Sequence, residues 1–145
     1  MQHLSISERA ALFAAVAERT AANPGACLTS WEWLCRVLDD RHVTADLRTP
    51  RPGNTDPHQY IAISNKSDET RNAAYLIYGS GRVEILIPHD HVTGFHGHPA
   101  TRFKNGRGSN DSDQRVYVYL DRTDDAPDVA LTLMRRALAH EAARA

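Results

Sequence analysis

Residues Ala74–Ile87, AYLIYGSGRVEILI, decide the fold class of this chain. Ala74, Leu76 and Tyr78 alternate with Tyr75 and Ile77, and beyond Gly79-Ser80-Gly81 the residues Val83, Ile85 and Ile87 alternate with Glu84 and Leu86. A period of two on both sides of a glycine-bearing turn predicts an antiparallel hairpin. Upstream, Tyr60–Ser64 (YIAIS) has the composition of a strand. Downstream, Val116, Val118 and Leu120 alternate with Tyr117 and Tyr119. Val43, Ala45 and Leu47 also alternate, which allows a short edge strand before Pro50, Pro52, Gly53 and Pro57 break the pattern.

Helical patterns flank these strands. Ser5-x-x-Glu8 makes a capping box, Leu12, Phe13, Val16 and Ala17 follow as an apolar stripe, and Asn23-Pro24-Gly25 is expected to end that helix. A second capping box, Thr29-x-x-Glu32, predicts a helix opening at Thr29, with Leu28 against Trp33 as a hydrophobic staple. Trp31, Leu34, Cys35 and Leu38 would be its buried face. At the C-terminal end Asp125 is expected as an N-cap with Pro127 in the first turn, and Ala130, Leu131, Met134, Ala137 and Leu138 face inward. The order predicts an α+β domain over 1–145. It would be a small antiparallel sheet of about four strands, with two N-terminal helices and one C-terminal helix packed on it. A long polar loop is expected at 88–115.

With 145 residues, 41% apolar and 24% charged, the chain is long enough for a core that needs neither disulfides nor a structural metal. A net charge of −1 supplies no general attraction to nucleic acid or anionic membrane, so such binding would need a local patch. Of 17 basic residues 15 are Arg, suited to bidentate contact with phosphate or carboxylate. Cys27 and Cys35 form neither a CxxC pair nor a zinc spacing and read as buried thiols in a reducing compartment. No apolar run is long enough to span a membrane, and charges flank Ala10–Ala17 in a way a signal peptide would not. The expected location is the cytoplasm.

The 88–115 segment, PHDHVTGFHGHPATRFKNGRGSNDSDQR, holds most of the chemistry. Arg102, Lys104, Arg107 and Arg115 are interspersed with glycines, Ser109 and Asn110, which suits phosphate contact through cations and closely approaching backbone N–H groups. Gly106-Arg107-Gly108-Ser109 lacks the spacing of a Walker A loop. Tyr117 and Tyr119, on one face of the strand that follows, are placed to stack on bases or to support the loop. The leading expectation is therefore a nucleic-acid-binding module, for DNA or RNA, without a cofactor.

Two other classes stay open. His89, His91, His96 and His98 form two HxH pairs that, with Asp90, Asp111 or Asp113, offer a set of ligands for zinc in a metal-dependent hydrolase. His42-Val43-Thr44 and His91-Val92-Thr93 are two HxT motifs, and this pair resembles the pattern of the 2H phosphoesterases. Over these six residues the resemblance implies His42 and His91 as acid and base, with Thr44 and Thr93 holding the phosphate on two facing strands. The remaining class is a protein-interaction or inhibitor domain with a polypeptide partner, which the near-neutral charge suits equally well.

Overall fold

The computed structural model describes residues 6–20, 24–40, 42–48, 60–65, 72–77, 80–88, 92, 94–95, 97–105 and 113–144. The elements in order are α1 (Ile6–Thr20), α2 (Pro24–Leu38), β1 (Val43–Arg48), β2 (Tyr60–Asn65), β3 (Asn72–Ile77), β4 (Arg82–Pro88), β5 (Thr101–Asn105), β6 (Asp113–Tyr119) and α3 (Ala126–Arg144). The strands form one antiparallel sheet in the order β1-β2-β3-β4-β6-β5. The class is α+β.

The expected hairpin is β3–β4, with Ala74 opposite Ile85 and Leu76 opposite Val83. Ser80 N–H donates to Ile77 O at 3.1 Å across the turn. Gly81 then adopts a φ of 63°, a left-handed conformation that glycine reaches without a Cβ clash.

Two strands exceed the expected four. β1 is the edge strand that Val43, Ala45 and Leu47 allowed. β5 lies within the segment expected to be a loop, and β6 opens at Asp113, three residues before its first apolar residue. Thr101–Asn105 (TRFKN) has a single large apolar side chain, too little to mark a strand by periodicity. Its partner specifies it: Phe103 sits opposite Val116 and packs against the core. The 88–115 stretch thus contains β5 and the start of β6, paired antiparallel, and is not one loop. Before it, Val92 and Ala100 are buried, and the Arg136 guanidinium lies over the Phe95 ring at 5.0 Å.

Helix placement also differs. α2 begins at Pro24, because a proline in the first helical turn needs no N–H partner, so Pro24-Gly25, expected to close a helix, opens one. Thr29 is internal to α2, and its hydroxyl donates to Gly25 O at 2.9 Å one turn back. Leu28 is 58% exposed, so no staple with Trp33 forms. The buried face is Ser30, Trp33, Leu34, Val37 and Leu38. The Trp33 indole N–H donates to Pro127 O at 3.1 Å, and this bond fixes which tryptophan turns inward. Trp31 is half-buried and meets the Phe13 ring edge-on at 5.0 Å. α1 packs chiefly on α2, and not on the sheet as expected; α2 reaches the sheet at β1.

α3 starts after Asp125 and crosses β2, β3, β4 and β6. Ala130, Leu133, Met134 and Ala137 join Ile61, Ile63, Leu76, Val83, Ile85, Ile87, Val116 and Val118 in one core cluster. Each fully buried Leu or Ile contributes about 1.5–3 kcal/mol, so this face carries most of the stability. All these strand residues share one parity of the pleat. Ala62 and Tyr117 are buried but lie outside that cluster, because they point to the opposite face. Among the described residues no helix is long and apolar enough to cross a membrane.

Candidate functional site

The sheet face turned away from the helices is where the described chemistry collects. Strand register lines up its residues in rows. Asp46, Ala62, Tyr75, Glu84, Tyr117 and Arg102 succeed one another from β1 to β5. One row away Ile77, Arg82 and Tyr119 are neighbours, and on the other side Leu86, Arg115 and Lys104 are. Alternation within each strand put these residues on the face opposite the core; the pairing of β4 with β6, and of β6 with β5, put them side by side.

Guanidinium groups cover the tyrosines of β6. Arg82 lies over the Tyr117 ring at 5.0 Å, and Arg122, from the turn after β6, lies over the Tyr119 ring at 4.0 Å. Tyr117 is only 8% exposed, so its ring supports Arg82 and offers no bare stacking surface; Tyr119 remains half-buried. Arg82 Nη2 pairs with Glu84 Oε1 at 3.2 Å. Across β3 and β2, Tyr75 and Tyr60 meet edge-to-face at 5.5 Å. Arg102 is exposed opposite Tyr117, and Arg115 is half-buried opposite Leu86.

Among the described residues, two buried donors on this face are unsatisfied. Arg82 Nε and Arg115 Nε have no hydrogen-bond partner. Both atoms are shielded from solvent by their surroundings, and a buried donor without a partner costs about 1–3 kcal/mol.

Of the residues singled out from sequence, Arg102, Arg115, Tyr117 and Tyr119 are brought together here. Lys104 is opposite Arg115 in register, but its side chain lies outside the described residues, as do Arg107, Ser109 and Asn110 altogether. Tyr60, Tyr75, Arg82 and Arg122 were missed. Their parity was legible within each strand, since Arg82 and Glu84 alternate with Val83 and Ile85, but their proximity to Tyr117 depends on strand order.

The histidine alternatives fare differently. His98 has both ring nitrogens engaged: Ala100 N–H donates to Nδ1 at 3.1 Å, and Nε2 lies 3.0 Å from Asp125 Oδ2. A ring that accepts at Nδ1 carries its proton at Nε2, so His98 donates to the carboxylate. Asp125 also accepts from the Thr123 hydroxyl at 2.7 Å. These bonds, the one from His98 first, hold its carboxyl below the ordinary carboxylate value. The pair fastens the turns before β5 to the start of α3. His89, His91 and His96 lie outside the described residues, and among the described residues no group of three or more His, Cys, Asp or Glu is placed to hold a metal.

His42 is exposed just before β1, and Thr44 is half-buried within it; His91 and Thr93 lie outside the described residues. Val92, between them in sequence, is buried and does not lie in a strand. β2 and β3 separate β1 from β4 by about 14 Å at ordinary strand spacing. Cys35 is half-buried with its thiol pushed up by burial, which suits packing and not nucleophilic chemistry. The Cys27 side chain lies outside the described residues.

No protein-family model, curated protein or solved structure matches this chain.

Proposed function

We propose that this chain is a nucleic-acid-binding module that contacts phosphates through the β5–β6 hairpin and the sheet face beside it. The observation that carries this proposal is the concentration of guanidinium groups on that face. Arg82, Arg102, Arg115 and Arg122 gather around Tyr117 and Tyr119, with Glu84 among them and Asp113 two residues from Arg115 on β6, in a chain of net charge −1. A local field of this sign attracts polyanions although the whole protein does not. The connection between β5 and β6 adds Arg107 with the polar Ser109 and Asn110, followed by Asp111. A free, half-buried Cys35 fits a reducing compartment, and we place the module in the cytoplasm.

The test is fluorescence anisotropy of labelled DNA and RNA, single- and double-stranded, at low and moderate salt. Binding should weaken as salt rises. Arg102→Ala and Arg107→Ala should each lower affinity and make the salt slope shallower by about 0.7–0.9. Absence of binding at low salt overturns the proposal.

A protein-interaction role is favoured by a different observation. Phe13 is 52% exposed and Leu28 58%, on two helices that pack together away from the guanidinium face. If that role is the right one, Phe13→Ser with Leu28→Ser abolishes co-purification of a stoichiometric polypeptide and leaves nucleic-acid titrations unchanged. Purification of the wild type without any such polypeptide counts against it.

A further inference from the structure

We infer that a second copy of this chain covers the outward face of α1, the two α1 helices packing antiparallel about a two-fold axis between Phe13 and Ala14. The pairing gives to a second copy the face that a different polypeptide would otherwise take. It lies away from the guanidinium groups and does not depend on nucleic-acid binding.

Over about two turns α1 is apolar on every side. Between Arg9 and Glu18 the sequence AALFAAVA holds no polar residue. Leu12 joins the core at 3% exposure, while Ala10, Ala11, Phe13, Ala14 and Ala17 are all exposed, Phe13 by 52%. A helix with one side on its own protein ordinarily turns polar residues to water, and one that is apolar all round is a buried helix. α1 packs chiefly on α2, which leaves this side to solvent in a single copy. Leu28, 58% exposed, and Trp31, edge-on to Phe13 at 5.0 Å, continue the apolar surface onto α2.

The face is complementary to itself. At 3.6 residues per turn Ala10, Phe13, Ala14 and Ala17 share an arc of about 100°. Reversal about a point between residues 13 and 14 exchanges Ala10 with Ala17 and Phe13 with Ala14. Each Phe13 ring then meets the partner's Ala14, large against small, and the alanines let the helices approach closely. Glu8-Arg9 bounds the run at one end and Glu18-Arg19 at the other. With an acid and a base at each end, antiparallel pairing opposes no block of like charge, and it sets unlike ends of the two helix dipoles side by side. A partner of different sequence would need an uncharged face of matching length; a second copy has one. A helix of 15 residues is about 22 Å long, so the contact is small for a specific interface, and dissociation is expected on the order of 10 μM.

The experiment is sedimentation equilibrium of the full chain from about 1 to about 500 μM, with Ala14→Glu and Phe13→Ala in parallel. Both positions are exposed in the single copy, and circular dichroism establishes that each variant is folded. Wild type should pass from monomer to dimer across this range. Ala14→Glu sets a carboxylate against an apolar ring and should weaken the dimer by at least about tenfold, and Phe13→Ala by about tenfold. Disulfide trapping tests the direction of the pair without disturbing it. Under mild oxidation Ala14→Cys, beside the axis, should give a linked dimer faster than wild type. Ala10→Cys, about 10 Å along the helix from its symmetry mate, should not. A wild type that stays monomeric at the highest concentration, with or without a different polypeptide bound, overturns the inference. So does a dimer unchanged in folded Ala14→Glu, or equal linking of the two cysteine variants.

Discussion

Along β4, Val83, Ile85 and Ile87 point toward the helices and are fully buried, while Arg82, Glu84 and Leu86 point the other way and stay partly exposed. Along β6, Val116 and Val118 face α3, and Arg115, Tyr117 and Tyr119 face away. The same backbone therefore carries two surfaces with different physics. The helix-covered face is specified by volume: its side chains interlock, and any acceptable filler must match their shape. The other face is specified by charge and ring contacts, with guanidinium groups over Tyr117 and Tyr119 and Arg82 paired with Glu84. Damage to the first should appear as lost stability, and damage to the second as changed binding.

The largest expected effect comes from adjacent residues that separate the two faces. Ile85→Ala should destabilise the protein by about 2–5 kcal/mol in urea unfolding, because it opens a cavity between the sheet and α3. A loss well below 1 kcal/mol would break the division of labour. Next, Trp33→Phe removes the donor to Pro127 O and should cost about 1 kcal/mol in stability, while Trp31→Phe costs less. Equal losses would mean that the indole bond does not choose the buried tryptophan.

Glu84→Gln sharpens the contrast from the other side. It removes the acid beside Arg82 and should raise affinity for a single-stranded oligonucleotide by about fivefold, an effect of about 1 kcal/mol. Anisotropy that shows weaker binding would indicate that Glu84 orients Arg82 and does not merely compete with the ligand.

The smallest effect concerns neither face but the His98–Asp125 pair, which ties the turns before β5 to the start of α3. The carboxyl of Asp125 is held below its ordinary value in the folded state, so its contribution to stability is present above the unfolded value. That contribution is lost as pH falls through the folded one. Thermal unfolding should show wild type losing stability below about pH 4 more steeply than Asp125→Asn. Parallel acid limbs would remove the His98–Asp125 bond from the account.

How much of this was legible follows from how each element is specified. The β3–β4 hairpin was plain, because both strands carry their own alternation and a glycine supplies the turn. β5 was not: Phe103 is its one large apolar residue, and the strand exists through pairing with β6. The face of α2 was ambiguous, since stripes through Trp31 or Trp33 share Leu34 and Leu38, and the choice depends on Pro127, 94 residues away in sequence. For the site, Arg102, Arg115, Tyr117 and Tyr119 were visible as residues. Arg82 and Arg122 were not, because their roles arise from side-by-side placement of β4 and β6 and from the turn after β6, which no local period encodes.

The most direct test of the two-faced sheet is to map amide and side-chain chemical-shift changes on the labelled protein as a single-stranded oligonucleotide is added. The account predicts changes concentrated at Arg82, Glu84, Arg102, Arg115, Tyr117, Tyr119 and Arg122, with Leu133, Met134 and Ala137 of α3 unmoved. Changes confined to the α1–α2 pair or to the exposed side of α3 would contradict it.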